Sequence, residues 1–415
     1  MQQSTLIPHL FRTEYRKITS VLCKLFGISH IEVAEDIASE TFVAALETWS
    51  YKGVPENPTA WLYTVAKNKA RNYFTRNHFF TEKVLAQLKN AEQINELPEI
   101  DLSNQNINDS QLQMLFAICH PAISTEAQIG LALRILCGFG IDEIASAFLT
   151  NKETINKRLF RAKEKLRAEK VPVEFPGNHE INNRLDNVLI TLYLLFNEGY
   201  YSESSDTVVR NELCLEAMRL THLLIENQQT NQPTVKALFA LMCFHASRFE
   251  ARKNENGALI LYHEQDENLW NYELITKGGY YLQQAAQGNS ISRYHLEASI
   301  AYWHTVKTDT KEKWKNILYL FDLLLQTDYS PIAALNRVYA ISKVKGNAAA
   351  IAEAEAINLT HNHFYFTLLG ELYKDSDISK AMTYYNNAIT LAKTQTDKHS
   401  IQQKIDQLIQ VNRNN

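Results

Sequence analysis

The chain has 415 residues, 45% of them hydrophobic and 21% charged, with a formal net charge of −4; this is the balance of a soluble globular protein, not a disordered one, and the length exceeds what one compact core fills. Residues 1–178 hold 20 basic and 20 acidic side chains and leave 22 and 26 for the remainder, so local clusters say more than the total. No apolar run reaches the roughly 18 to 20 residues that span a bilayer, the first twelve residues lack a signal pattern, and five cysteines never approach C-x-x-C spacing; reduced thiols in a cytoplasmic, membrane-free protein are expected.

Only 9 prolines and 13 glycines interrupt the chain, and Leu, Ala, Ile, Glu, Lys and Gln recur at three- and four-residue steps, so the expected fold is all-α. Residues 1–80 form the first domain. Its helix over 31–50 carries Glu32, Glu35, Asp36, Glu40 and Glu47 with no Lys or Arg, behind an apolar stripe of Ala34, Ile37, Ala38, Phe42, Ala45 and Leu46. Such a face repels nucleic acid; it suits a basic protein partner, or is simply solvated. Asn57 before Pro58 is an N-cap with proline at the first helical position, so a helix starts there and runs through Arg76. Lys67, Lys69, Arg71 and Arg76 alternate along it with Trp61, Tyr63, Tyr73 and Phe74, followed by Phe79 and Phe80, and no acid lies between Leu62 and Phe80. Cations track phosphates and rings stack on unpaired bases at about 1 to 3 kcal/mol each. Trp61, Val65 and Phe74 also read as core, and for Trp61 core is the better reading.

Residues 81–109 read as a flexible acidic linker, with Glu92, Glu96, Glu99, Asp101 and Asp109 and an Asn/Ser-rich run from Ser103 to Ser110. A second compact domain follows over 110–178, opening with a helix from Leu112 to Cys119. Ile141–Phe148, a turn and the capping box Thr150–Glu153 spell a helix-turn-helix. In the second helix Ile155, Leu159, Ala162 and Leu166 form the buried stripe, which leaves Asn156, Lys157, Phe160 and Arg161 outward. Eight Lys/Arg against three Glu over 150–170 suit a polyanion, although a solvated basic helix has the same composition.

Residues 179–415 continue as amphipathic helices, with one strand signal, a small hairpin at Asn254–Tyr262. Phe366, Leu369, Gly370 and Tyr373, then Ala381, Tyr385 and Ala388, fit a tetratricopeptide-like repeat, with a weaker neighbour upstream, near 331–393 overall; unrelated helical hairpins are the alternative. His361 and His363 are too close for a helical ligand pair, and neither G-x-x-x-x-G-K-[ST] nor G-x-S-x-G occurs. No catalytic residue, metal or cofactor is expected, and the chain is not read as an enzyme.

An acidic helix, a basic aromatic helix, an acidic linker and a helix-turn-helix, in that order, resemble the extracytoplasmic-function (group 4) sigma factors of the sigma-70 family. Ala34–Phe42 is similar to the polymerase-binding helix of region two, Asn57–Ala70 to its promoter-melting helix, and Ile141–Leu166 to region four. His120–Ala127, Leu194–Tyr200 and Pro331–Arg337 look like the subgroup with a helical, tetratricopeptide-containing C-terminal extension. Ser39 stands where Gln is common and Asn72 where Asp is common. The resemblance implies a subunit that binds core RNA polymerase and directs promoter-specific initiation. Glu35, Asp36, Ser39, Glu40 and Phe42 would meet the polymerase. Tyr51, Asn57, Trp61, Lys67, Asn68, Arg71 and Arg76 would hold the downstream promoter element and melted strand. Lys152, Thr154, Asn156, Lys157, Arg158, Phe160 and Arg161 would read the upstream element as duplex. Residues 179–415 would be a fused regulatory domain, whose repeats point to a protein or peptide partner. Two readings stay open beside this one: a helix-turn-helix regulator that replaces no sigma subunit, and a helical peptide-binding scaffold.

Overall fold

A computed structural model describes residues 3–77, 99–148, 150–177, 179–201, 207–252, 260, 265–288, 290–392 and 395–414. Among these the chain is helical without strands, and it divides into two compact units, 1–230 and 231–415. The fold is all-α.

The first unit begins with three helices: α1 (Gln3–Phe26), α2 (Ile31–Lys52) and α3 (Pro58–Asn77). Tyr15, Ile18, Leu22 and Phe26 of α1, Ile37, Phe42 and Trp49 of α2, and Leu62, Ala66, Ala70 and Phe74 of α3 form their common core. The Asn57 side chain accepts from the Ala60 N–H at 3.0 Å, and Pro58 occupies the first helical position, as the sequence implies.

Helix α4 (Asn104–Ile118) starts six residues ahead of the expected domain edge at 110. Its Asn/Ser-rich opening is a cap, not a flexible stretch. Ser103 accepts from the Asn106 N–H, its own N–H and hydroxyl donate to Asp101, and Ile100, Leu102 and Ile107 are buried beneath. The acidic linker's first part, with Phe79 and Phe80 before it, lies outside the described residues. Next come α5 (Thr125–Leu131), which runs on into a π turn over Ala132–Leu136, then α6 (Ile141–Ala147) and α7 (Lys152–Ala168). The α7 N-cap is Asn151, whose side chain accepts from the Thr154 N–H at 2.8 Å, one residue later than the expected box; at the start of α6 the Glu143 carboxylate accepts from the Gly140 N–H at 2.7 Å. Gly138, at φ +76°, makes the turn between the π segment and α6, and a Cβ there would lie 3.3 Å from the Arg12 carbonyl of α1. Helices α8 (Ile181–Tyr201) and α9 (Thr207–Glu226) complete the unit.

The second unit stacks α10 (Pro233–Ala246), α11 (Tyr272–Ala285), α12 (Arg293–Trp303), α13 (Lys311–Thr327), α14 (Pro331–Lys345), α15 (Asn347–Ile357), α16 (His363–Tyr373), α17 (Ile378–Leu391) and α18 (Gln395–Asn414), each packed on the helix next to it in sequence. Close approach needs small residues: a Cβ on Gly370 would strike the Tyr385 ring at 2.6 Å, and one on Gly278 the Phe244 ring at 2.7 Å. Most of the expected hairpin at 254–262 lies outside the described residues.

Candidate nucleic-acid interface

Helix α2 has three kinds of surface. Ala34, Ile37, Ala38, Phe42 and Ala45 enter the core, so Phe42, expected at a protein interface, is instead a packing residue edge-on to Phe11 at 5.0 Å. Asp36, Glu40, Val43, Leu46 and Glu47 are exposed and make an acidic strip with an apolar rim. Glu40 shares its charge with Lys69 of α3 at 2.8 Å.

Glu35 and Glu32 face a different neighbour. Glu35, 8% exposed, accepts from the Arg134 Nε at 2.8 Å and is paired with Lys163, while Glu32 pairs with Arg167 at 2.7 Å. Arg134 belongs to the π turn and Lys163 and Arg167 to α7, so the acidic helix is docked on the π turn and α7. Ser39, half-buried, lies one turn along. Tyr15, beneath these groups, carries the Arg134 guanidinium over its ring at 5.7 Å; burial, then the nearby Glu35 carboxylate, pushes its hydroxyl up to about 12.

Helix α3 presents Asn68 and Arg71 outward with Lys67 and Lys69 half-buried, and Trp61 is half-covered by Trp49, edge-on at 5.4 Å. Tyr51, at the end of α2, is 92% exposed, and Asn57 serves as the cap of α3. The Arg76 side chain lies outside the described residues. An exposed ring and a half-exposed indole thus lie where α2 gives way to α3, and a row of cations follows along α3, the combination that suits an unpaired strand.

On α7 the expected reading face is open. Lys152, Thr154, Asn156, Lys157 and Arg161 are exposed, Phe160 is 63% exposed, and Arg158 lies over the Phe148 ring at 5.5 Å. Lys152 pairs with Asp142 at 3.0 Å and Lys157 with Glu153 at 2.6 Å; such exposed pairs are worth at most about 1 kcal/mol and exchange readily for phosphate. An open cleft of about 480 Å³ runs beside this face, between the 122–127 segment and Thr154, Lys157, Arg158, Arg161 and Lys165. The opposite flank, with Lys163 and Arg167, is the one turned to α2.

Sequence reasoning missed the cross-connections. Arg12 of α1 pairs with both Glu143 of α6 (2.5 Å) and Glu212 of α9, and stacks over Phe139 at 5.0 Å. Four residues on, Arg16 pairs with Glu216, also of α9. Arg219 donates to Glu216, to Gln111 of α4 and to the Leu136 carbonyl, at 2.8 to 2.9 Å. The i, i+4 spacing of both Arg12/Arg16 and Glu212/Glu216 was visible as two matching charged edges, but nothing in one sequence pairs them. Among the described residues no metal-ligand cluster occurs and no helix is long and apolar enough to cross a membrane.

Residues 10–79 match the model for sigma-70 region 2, and residues 184–286 match a family of unknown function (DUF6596). An uncharacterized protein of Rhizobium meliloti is 32% identical over 387 residues, covering 91% of this chain and 90% of its own, so the two are members of one family along nearly their whole length. RNA polymerase sigma factor YlaC of Bacillus subtilis is 27% identical over 169 residues, 40% of this chain and 93% of that factor. The extracytoplasmic-function RNA polymerase sigma factor BldN of Streptomyces coelicolor is 28% identical over 31% of this chain and 47% of its own. The chain carries a sigma-70 region 2 over residues 10–79, and over a third or so of its length it is similar to extracytoplasmic-function sigma factors. Those relatives are RNA polymerase sigma factors, and the region 2 match falls on α1–α3. No solved structure matches the chain.

Proposed function

We propose that the chain binds core RNA polymerase and directs it to particular promoters, with region 2 capturing the melted downstream element and the α6–α7 helix-turn-helix reading the upstream element as duplex. The observation that carries this is the pairing, within the region 2 match, of an exposed acidic strip (Asp36, Glu40, Glu47) on α2 with the cation-and-aromatic end of α3. One surface suits a basic protein partner and the other a single strand; a simple duplex-binding regulator has use for neither. Capturing a splayed base offsets part of the few kcal/mol of unstacking, so opening needs no hydrolysis. The extension from residue 179 is proposed to regulate these regions, and the tetratricopeptide-like hairpin α16–α17 to meet a protein or peptide.

The test is transcription. Purified full-length chain added to core polymerase should give defined start sites on a library of promoter fragments. Sequence-specific duplex binding with no core association would leave the regulator reading standing in its place. Absent or salt-independent DNA binding would point to the scaffold.

A further inference from the structure

The two helices that the proposed function assigns to polymerase and to duplex meet along their inner flanks, beside the open acidic strip and the open reading face. Glu35 and Glu32 lie on the polymerase-facing helix and neutralise Lys163 and Arg167 on the recognition helix, with Arg134 completing the set around Glu35. Glu35, which the resemblance assigns to the polymerase, is thereby used with Glu32 on two α7 cations that flank the reading face. The Glu35 pairs are largely shielded from water, so salt screens them less than surface pairs.

A third element reaches across this joint from the extension. Glu212 and Glu216 of α9 meet Arg12 and Arg16 of region 2, rung for rung, while Arg219, one turn on, grips the other side through Gln111 and the Leu136 carbonyl. Arg16 and Glu216 keep only 11% and 15% of their side chains exposed. Helix α8 adds Arg184 to the Phe116 carbonyl at 2.7 Å and Thr191 to Gln128 at 2.7 Å. Every one of these partners lies in region 2 or in the α4–α7 module, so the α8–α9 hairpin ties the two together.

We infer that α9 is a built-in clasp that holds region 2 against the helix-turn-helix in a closed form, in which Glu32, Glu35, Lys163 and Arg167 are withheld from polymerase and promoter. This rests on the sigma-factor reading and supplies its regulation: whatever pulls α9 from α1 frees Glu32 and Glu35 and lets region 2 and α7 move apart to reach their separate partners. A closed population of about nine-tenths lowers apparent affinity for core polymerase about tenfold.

The test uses the full chain in two measurements. Spin labels at Thr75→Cys and Ala168→Cys, both exposed, report the separation of region 2 from α7; the five native cysteines are buried, and Cys23 and Cys137, which border the joint, are replaced by alanine in every variant. The parent should give one narrow, short distance. Glu216→Arg, which sets a third cation between Arg16 and Arg219, should broaden and lengthen it and, without labels, raise core polymerase affinity about tenfold. The swap Arg16→Glu with Glu216→Arg should restore both parental values and so distinguishes a clasp from misfolding. An unchanged distance in Glu216→Arg, a swap that restores neither value, or an opened chain that binds core polymerase more weakly would overturn the clasp. Absence of core binding by the parent and the opened variant alike overturns the sigma reading and with it the masking, while the distance measurement still decides whether α9 closes the joint.

Discussion

The two units of the chain are held together by different chemistry. Unit 2 is a run of helices each resting on the next, with aromatic rings set into glycine notches: Phe244 on Gly278, Tyr385 on Gly370. Unit 1 has a good apolar core inside region 2, and α1 also packs closely on α4, but the seams α1–α9 and α2–α7 are lined by charged side chains far apart in sequence, Arg12 with Glu212, Arg16 with Glu216 and Glu35 with Lys163. Apolar stacking has no second stable state to go to, since parting exposes hydrocarbon to water. Ion pairs between modules part more easily, because water and a competing charged partner can solvate what they expose. Unit 2 is built to persist, and unit 1 to come apart along one joint.

Four measurements press on this contrast. The largest effect belongs to unit 2: Tyr385→Ala, which empties the notch over Gly370 and frees Glu371 from the tyrosine hydroxyl, should cost about 3 to 5 kcal/mol in the thermal unfolding of that unit. A loss under about 1 kcal/mol would mean that the hairpin α16–α17 contributes little. Next is acid. Burial first, then Arg248 and Lys313, lower His304 to about 3, so it is neutral in the fold and takes up a proton on unfolding below 6.5. Stability from this group is complete above pH 6.5 and falls as pH drops toward 3, by about 2 kcal/mol at pH 5. His304→Gln should flatten the dependence between pH 7 and 5; an unchanged slope would reassign it to other groups.

The third lies on unit 1's open acidic strip. Asp36→Lys should weaken core polymerase binding about tenfold, roughly 1.4 kcal/mol, while duplex binding by α7 is untouched, because Asp36 is exposed and outside the joint. Equal loss of both would show that the surfaces do not divide the work. The smallest is Lys157→Ala. It gives up one exposed cation, and should reduce duplex affinity about threefold and shift the preferred upstream sequence. An unaltered promoter spectrum would make Lys157 a partner of Glu153 and nothing more.

How far the sequence could be read follows the same division. Helices with a local signal were legible: the Asn57–Pro58 start of α3, the apolar stripe of α7, the Leu369–Gly370 and Tyr385 pattern in α16–α17. The start of α4 was not, because Asn, Ser and Asp serve both linkers and caps; only the buried spacing Ile100, Leu102, Ile107 separated the two uses. Within the candidate site, exposure followed the periodicity for Asp36, Glu40, Asn156, Lys157 and Arg161, and so did the burial of Phe42, which the apolar stripe placed in the core and only the resemblance placed at the polymerase. Glu35 looked like its neighbours on an acidic face. What sets it apart is a lysine 128 positions away, and a single sequence holds no record of such meetings.

The register between α1 and α9 carries a practical consequence. Arg12 and Arg16 repeat at the pitch of one helix, Glu212 and Glu216 at the pitch of another, and the rungs coincide only while both repeats are kept. Glu212 and Glu216 fall within the stretch shared with the family of unknown function, and Arg12 and Arg16 within region 2. A chimera that grafts region 2 of an extension-free factor onto this tail therefore inherits a clasp with nothing to grip unless both arginines are transplanted with it.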